Sequence, residues 1–493
     1  MFHDPFVAAV ALIGVVIIAA SLLSGAVERS GAPQVAIFLL LGAMLGPAGL
    51  GVVEFSLESE SLEVLATLAL VLVLFSDAIS VDIAEVRENR RLATLILGPG
   101  TILPALLIAL AAWLLLDLPP AGAAILGAAL ASTDPVLLRT LIRSPALPPP
   151  ARLALRLESG INDVILLPVV VLAIVALSHA GATPDDVARR AMGLFVLGPV
   201  LGVGVGYVAI ALLDRVRSSV GVRRDYESLY ALGVAFTAFA AAESVGGSGF
   251  LAAFAAGLMV AAMDIELCDC FLDYGEASAE MFLLLTFVAF GASVIWTGFQ
   301  AADAPTLVFA VLALGVRTAV LIPVLRLGGV EPRSRRLIAW LGPRGLSTLL
   351  LALLPVFARV EGSVRLFQIT CLVVLLSVVV HGAGIAIFLR RARSDSPSPP
   401  PAAEDKEPEP LSFGRASSEA EAATVPEKIT IEELRKLWER GEPVTVLDVR
   451  TERSYRDSHA IGRDAFRMPP DDAVRLARER RLDPNATLVL YCT

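Results

Sequence analysis

This 493-residue chain is poor in charge: 18% of its residues are charged and 56% are hydrophobic. Soluble domains have about 25% charged residues, so the composition excludes a soluble protein and indicates a polytopic membrane protein. Cysteine and histidine are scarce, with four of each. The cysteines are Cys268, Cys270, Cys371 and Cys492. Their spacing fits neither a disulfide framework nor a zinc site.

Other absences narrow the class of function. The N-terminus lacks the basic region of a cleaved signal peptide, so we expect the first apolar segment to remain as a span. No glycine-rich phosphate loop occurs, so nothing indicates ATP-driven pumping. The net charge of −9 comes mostly from the tail beyond residue 394 and gives no sign of a nucleic-acid partner. We therefore expect no cofactor.

The apolar runs predict an all-α membrane protein with about thirteen transmembrane helices. They lie near residues 7–27, 33–51, 61–81, 92–116, 120–143, 153–178, 191–213, 226–243, 246–263, 278–298, 305–327, 334–358 and 365–389. Arginines are concentrated in alternate loops, whereas the other loops carry only Arg189, Arg190, Arg359 and Arg365. By the positive-inside rule, the N-terminus lies outside and the C-terminus in the cytoplasm of a cell (inner) membrane.

The composition changes abruptly after residue 393. Residues 394–428 are rich in Pro, Ser, Ala and Glu, which is typical of a disordered linker. From residue 429 onward a soluble α/β pattern begins, with strands predicted near 444–449 and 487–491. The sequence thus predicts a membrane domain at 1–393, a linker at 394–428 and a small domain at 429–493.

The most informative stretch is residues 157–168, where two carboxylates and an amide interrupt an apolar span. An ionisable side chain at the membrane centre costs about 2.5–3.5 kcal/mol on insertion scales. At helical spacing Glu158 lies one turn from Asn162, and Ser159 one turn from Asp163. Two neighbouring helix faces therefore present oxygen atoms at mid-membrane depth, as a dehydrated small cation requires.

Two other spans carry breaks in their middle. In the fifth span, Thr133 and Asp134 precede a proline, which disfavours helix and frees backbone carbonyls for a cation. The twelfth span contains the run Gly342-Pro343-Arg344-Gly345. Interrupted spans in corresponding positions of inverted halves indicate a transporter's binding site.

Arg344 needs a buried counter-charge. We assign Glu158 to it as a structural pair and leave Asp163 free to titrate, with the reverse pairing as the alternative. Asp77 either serves a cytoplasmic vestibule or reaches the interface. Arg317 is expected to pack against helices or face lipid, and His381 to be a core histidine with a hydrogen-bond partner.

Residues 1–393 resemble the sodium/proton antiporters of the monovalent cation–proton antiporter superfamily, in their electroneutral branch. The matching motifs occur in family order and spacing, at residues 132–135, 158–163, 247–252, 342–345 and 379–382. The resemblance implies an inverted-repeat fold, a moving six-helix core, a homodimer, and exchange of a monovalent cation for a proton.

The resemblance also implies roles for residues. Asp163 would be the shared cation and proton site with Asn162 beside it, Thr133, Asp134 and Ser159 would contribute ligands, and Glu158 and Arg344 would form a structural ion pair. Where the family often has Phe-Glu-Gly-Gly, this chain has Phe75-Ser76-Asp77-Ala78, so the acid is displaced by one residue.

Residues 429–493 resemble a rhodanese-like domain through Asp448-Val-Arg450, Tyr455, His459-Ala-Ile-Gly462 and a strand leading to Cys492. In that family this cysteine carries a persulfide cradled by the following loop. The sequence stops at Thr493, so we expect a fragment or a truncated product without sulfurtransferase activity.

These residues predict a secondary transporter, not an enzyme: electroneutral exchange of Na⁺ or Li⁺, with K⁺ also open, for H⁺ in pH and sodium homeostasis. The partners are membrane lipids, monovalent cations and protons. Two alternatives remain: a channel or transporter for another solute, and a membrane-tethered sulfur carrier or sensor.

Overall fold

The computed structural model describes residues 34–395, apart from 54, 82, 143–146, 179–184, 186–191, 220–223 and 264–268. It also describes 14–18, 22, 434–435, 437–438, 440, 444–450, 465–468, 476 and 487–491. The chain divides into two compact units, Met1–Pro399 and Pro400–Thr493. The predicted linker falls almost entirely outside the described residues, and its bounds stay a prediction.

The first unit is helical. Its first half comprises α1 (Gln34–Leu45), α2 (Glu60–Ile79), α3 (Ile83–Glu88), α4 (Arg90–Leu97), α5 (Pro99–Leu116), α6 (Pro120–Ala131), α7 (Pro135–Ile142) and α8 (Pro149–Ser178). Its second half comprises a π-helical turn (Gly193–Leu197), α9 (Gly198–Ser219), α10 (Arg224–Ser244), α11 (Gly249–Ala262), α12 (Asp269–Ala292), a 3₁₀ segment (Val294–Ala301), α13 (Ala304–Leu327), α14 (Pro332–Trp340), α15 (Leu346–Phe357) and α16 (Ser363–Asp395).

Helices occupy every predicted span from the second onward, and the first span lies mostly outside the described residues. Among the described residues, seven helices are long and apolar enough to cross a membrane. An eighth span results if Met281–Ala292 and Val294–Ala301, which are bent by 51°, count as one. Four further apolar helices in the described residues are shorter, and one of them, Leu346–Phe357, belongs to a broken span. The polytopic helical fold is therefore clear, and the count of thirteen stays a prediction.

Short polar residues define several helix starts. Ser59 Oγ accepts a hydrogen bond from Leu62 N at the start of α2, and Ser248 Oγ accepts one from Leu251 N at the start of α11, both at 3.4 Å. Such caps satisfy amides that have no partner inside the helix.

Small residues allow the closest helix packing. A Cβ added at Gly202 of α9 would lie 2.1 Å from the Ala252 carbonyl oxygen of α11, so only glycine fits. Gly291 of α12 meets the Leu39 carbonyl of α1 in the same way, at 2.2 Å. Such backbone-to-backbone contacts are typical of helix pairs in membranes.

The second unit contains a three-stranded parallel sheet in the described residues, with the order β2 (Phe466–Arg467), β1 (Val444–Asp448), β3 (Thr487–Tyr491). Both predicted strands are confirmed. Asp448 at the end of β1 accepts hydrogen bonds from the Arg450 guanidinium at 2.8 and 2.6 Å. Cys492 lies outside the described residues, and the resemblance to rhodanese stays a prediction.

Candidate cation site at two crossing helix breaks

The two predicted breaks are confirmed, and they meet. Residues 132–134 separate α6 from α7, and residues 341–345 separate α14 from α15. The Asp134 amide donates a hydrogen bond to the Pro343 carbonyl at 3.0 Å. The two interrupted spans are therefore joined through the backbone of their extended segments.

Asp134 caps two helices at once. Its Oδ1 accepts from the Val136 amide of α7, and its Oδ2 accepts from the Leu346 amide of α15, each at 2.7 Å. A carboxylate is stabilised at the positive end of a helix dipole. Close approach requires a glycine, because a Cβ at Gly345 would stand 1.7 Å from Asp134 Oδ2.

Arginines serve the opposite helix ends. Arg344 Nη1 donates to the carbonyls of Ala131 and Ser132, at 2.9 and 2.8 Å, where α6 ends. Arg317 Nη1 donates to the Ala339 carbonyl near the end of α14, at 2.8 Å. Cations at the C-terminal ends and a carboxylate at the N-terminal ends thus match the dipoles of all four half-helices.

The predicted pairing of Glu158 with Arg344 is wrong, and so is the lipid-facing alternative for Arg317, whereas its packing among helices is confirmed. Glu158 accepts two hydrogen bonds from Arg317: Nε to Oε1 at 2.7 Å and Nη2 to Oε2 at 2.5 Å. Arg317 is only 3% exposed. Arg344 lies close enough to feel the charge of Glu158, but its guanidinium is directed to the carbonyls that end α6.

A missing side chain makes room for the Arg317–Glu158 pair. A Cβ at Gly342 would lie 2.4 Å from the Arg317 guanidinium. One signal in the sequence could have identified the pair: two arginines, Arg317 and Arg344, lie within apolar spans. Only one of them is needed to pair with Glu158, and the other is available to bind backbone carbonyls.

Asp163 is a buried acid that has no cationic partner among the described residues of this site. Its Oδ1 accepts from Ser132 Oγ at 2.5 Å, while Oδ2 is buried without a hydrogen bond. Asn162 Nδ2 donates to Thr133 Oγ1 at 2.8 Å, which leaves Asn162 Oδ1 buried and also unbonded. Two acceptor oxygens on adjacent residues therefore lack donors, and a cation or a proton would satisfy them.

Other groups border this acid. Asp134 is near enough to act on the Asp163 carboxylate, and so is the Ser347 hydroxyl. Ser159 is buried one turn away, but its hydroxyl donates to the Arg156 carbonyl of its own helix at 3.4 Å, as helical serines often do. The structure therefore brings Thr133, Asn162 and Asp163 together directly and leaves the Ser159 hydroxyl turned away.

Asp77 lies outside this hydrogen-bonded cluster. It is half-buried, and its Cβ is 4.0 Å from where a Cβ on Gly160 of α8 would stand. Asp77 thus lies beside α8 about one turn before Asp163, on the partly exposed side of that helix.

His381 has the buried environment predicted for it. Its Nδ1 is 3.0 Å from Ser377 Oγ, which also accepts a 2.7 Å hydrogen bond from the Arg344 amide. Its ring is 5.8 Å from that of Trp340. The histidine supports the second break and does not touch Asp163 through any hydrogen bond described.

Comparison with known proteins agrees with this geometry. The family model described as "Sodium/hydrogen exchanger, transmembrane" matches residues 15–391. The "K(+)/H(+) antiporter NhaP2" of Shewanella sp. (strain ANA-3) is 28% identical over 393 residues, which cover 78% of this chain and 67% of that protein. The "Na(+)/H(+) antiporter NhaS2" of Synechocystis sp. is 27% identical over 226 residues, covering 45% of this chain and 39% of that protein.

The fold is also known from experiment. The sodium proton antiporter MjNhaP1 from Methanocaldococcus jannaschii, at pH 8, superposes with a TM-score of 0.62 at 18% identity. The match covers 78% of this chain and 99% of that protein. This chain therefore belongs to the transmembrane sodium/hydrogen exchanger family, a family of monovalent cation/proton antiporters, and is a transporter rather than an enzyme.

Proposed function

We propose that this chain exchanges one monovalent cation for one proton across the cell membrane, with Asp163 as the shared binding residue. The observation that carries the proposal is the pair of buried acceptor oxygens, Asp163 Oδ2 and Asn162 Oδ1, which have no hydrogen-bond partner. The other two acids of the site are engaged: Asp134 caps two helices, and Glu158 is paired with Arg317.

One available carboxylate predicts obligatory exchange. A buried carboxylate holds either a proton or a cation, so the two compete for it. A bare charge is costly to move through a sealed apolar barrier, so the site should change sides only when it is loaded. Because each ligand neutralises the same single charge, a full cycle moves no net charge.

The remaining ligands follow from proximity. We propose as further ligands Asn162 Oδ1, which has no hydrogen-bond partner, together with Thr133, which is bonded to Asn162, and Asp134, which is near enough to act on Asp163. The Ser159 hydroxyl would join them after a change of rotamer. We propose that Asp77, which lies beside α8, binds cations transiently on their way to Asp163. The relatives' names make Na⁺ and K⁺ the first cations to test, and Li⁺ is a third because the same oxygen ligands suit it.

The test is proton flux in proteoliposomes. With an imposed pH gradient and a trapped pH dye, addition of Na⁺, Li⁺ or K⁺ should move protons in the wild type. Asp163→Asn should abolish this flux in a protein that still elutes as a folded species, because it keeps the shape and removes the charge. Asp303→Asn, at an exposed helix cap, is the matched acid-to-amide control and should exchange normally.

Two outcomes oppose the proposal. Flux that no monovalent cation triggers would refute cation exchange. A membrane potential generated by exchange, read with a potential-sensitive dye, would refute electroneutrality. We further propose that the chain forms a homodimer in the cell inner membrane. We also propose that its N-terminus is external and its C-terminus cytoplasmic. Cysteine labelling from each side of the membrane would test this orientation.

A further inference from the structure

Ser132 is a buried hydroxyl on the Asp163 carboxylate that the sequence did not single out. It is fully buried, and its Oγ donates the hydrogen bond to Asp163 Oδ1. This bond joins the first helix break to α8. A change in the charge of Asp163 therefore changes the strength of this hydrogen bond.

The position of Ser132 is set by its backbone. The residue is extended, with φ −59° and ψ 140°, and its amide donates to the Ala128 carbonyl at 3.3 Å. Its carbonyl accepts from Arg344 Nη1 at 2.8 Å and from Thr348 Oγ1 at 3.3 Å. The second break thus holds the first in the orientation that directs the hydroxyl at Asp163.

A hydroxyl has one donor and two acceptor lone pairs. Facing an ionised carboxylate it donates, and facing a protonated one it can accept. Hydrogen bonds to the charged form of an acid favour that form, so the Ser132 hydroxyl favours the state of Asp163 that binds a cation over the state that binds a proton.

The neighbouring hydroxyls have other hydrogen bonds. Thr133 Oγ1 accepts from Asn162, and Ser159 Oγ donates to the Arg156 carbonyl. Thr348 Oγ1 donates to the carbonyl of Ser132 itself. The Ser347 hydroxyl also lies near enough to act on the Asp163 carboxylate, and Ser132 donates the short hydrogen bond to its Oδ1.

We propose that Ser132 is a positioning residue that sets the balance between cation and proton at Asp163. The proposal rests on the proposed exchange at Asp163 and adds the group that tunes it. Removing the hydroxyl should leave the transport step intact and shift the competition toward the proton.

The test compares Ser132→Ala with the wild type in proteoliposomes, over a series of cation concentrations and a neutral-to-alkaline pH series. A hydrogen bond to a charged group corresponds to about a tenfold change in an equilibrium constant. The half-saturating concentration of the transported cation near neutral pH should therefore rise about tenfold. The pH of half-maximal exchange should move about one unit toward alkaline, while the maximal rate at alkaline pH stays near the wild-type value.

Thr370→Val is the matched control. It removes a fully buried hydroxyl whose bond is to the Leu366 carbonyl of its own helix, at 2.9 Å, and it should leave both curves unchanged. If Ser132→Ala fails to fold, Ser132→Cys, which has a much weaker donor, should show the same alkaline shift.

The outcomes separate the two proposals. Loss of cation-dependent flux in the wild type overturns the proposed function. Wild-type exchange that Asp163→Asn abolishes, combined with coincident pH curves for wild type and Ser132→Ala or Ser132→Cys, overturns the role of Ser132 alone. A loss of maximal rate at every pH without any shift also overturns it, because that result describes a merely structural residue.

Discussion

The Glu158–Arg317 pair should be the strongest energetic coupling between charged side chains in the described membrane unit. Arg317→Met leaves the buried Glu158 carboxylate without its two charge-assisted hydrogen bonds. Removing one partner of a buried ion pair costs about 3–5 kcal/mol. We therefore expect the free energy of unfolding to fall by that amount in Arg317→Met, and by a similar amount in Glu158→Leu.

The double variant isolates the pair itself. With both charges replaced by apolar groups of similar size, most of the stability should return, so the coupling energy should exceed the loss seen in either single variant. The bond from Arg317 to the Ala339 carbonyl is lost in both arms of the cycle and cancels. That carbonyl also keeps a second donor, since Thr318 Oγ1 lies 2.9 Å away.

The assay is detergent-driven unfolding in mixed micelles, followed by far-ultraviolet circular dichroism. The same cycle for Glu158 and Arg344 is the control, and its coupling energy should be clearly smaller, because Arg344 donates to the carbonyls that end α6. A larger coupling for Glu158 with Arg344 than for Glu158 with Arg317 would refute the assignment of partners made from the structure.

Three further results are expected. Gly345→Ala should abolish cation-driven proton flux and lower stability by about 1–3 kcal/mol, because the new Cβ meets Asp134 Oδ2 at 1.7 Å, whereas Gly315→Ala, where a Cβ meets nothing within 4 Å, should exchange normally. A chain ended after residue 393 should retain flux in vesicles, and total loss in a well-folded product would contradict the division of the chain. Hydrogen bonds from Arg450 hold the pKa of Asp448 below its usual range. The stability that this pair adds to the C-terminal sheet should therefore persist at neutral pH. It should decline only as the pH falls through that lowered pKa. Amide hydrogen exchange of β1 in the full chain at decreasing pH checks this, and deprotection near neutral pH would contradict it.

Local chemistry predicted the breaks and the buried acids. Proline and glycine act on the backbone within one or two residues, so the interruptions at 132–134 and 341–345 could be read directly. Asn162 and Asp163 stood out because charge and amide groups are costly inside an apolar span. The free-energy cost of burying a charge shows that each buried acid needs a partner, but it does not identify the partner.

The partners could not be predicted, because they depend on which helices meet. Residues 158 and 317 are far apart in sequence, and Arg344 was equally available by position in its span. The structure chooses Arg317 through the space left by Gly342 and through the carbonyls that occupy Arg344. Ser132 was missed for a related reason: a serine in a span is common and inexpensive, and its importance appears only when the break turns its hydroxyl onto Asp163.

The double cap at Asp134 has a consequence for affinity. Each of its two oxygens already accepts a helix amide, so a cation that draws on either oxygen competes with the end of a helix for the same electron density. A cation bound there would weaken these capping hydrogen bonds, and they would regain their strength when it leaves. The two helix caps would therefore limit how tightly the proposed site binds a cation.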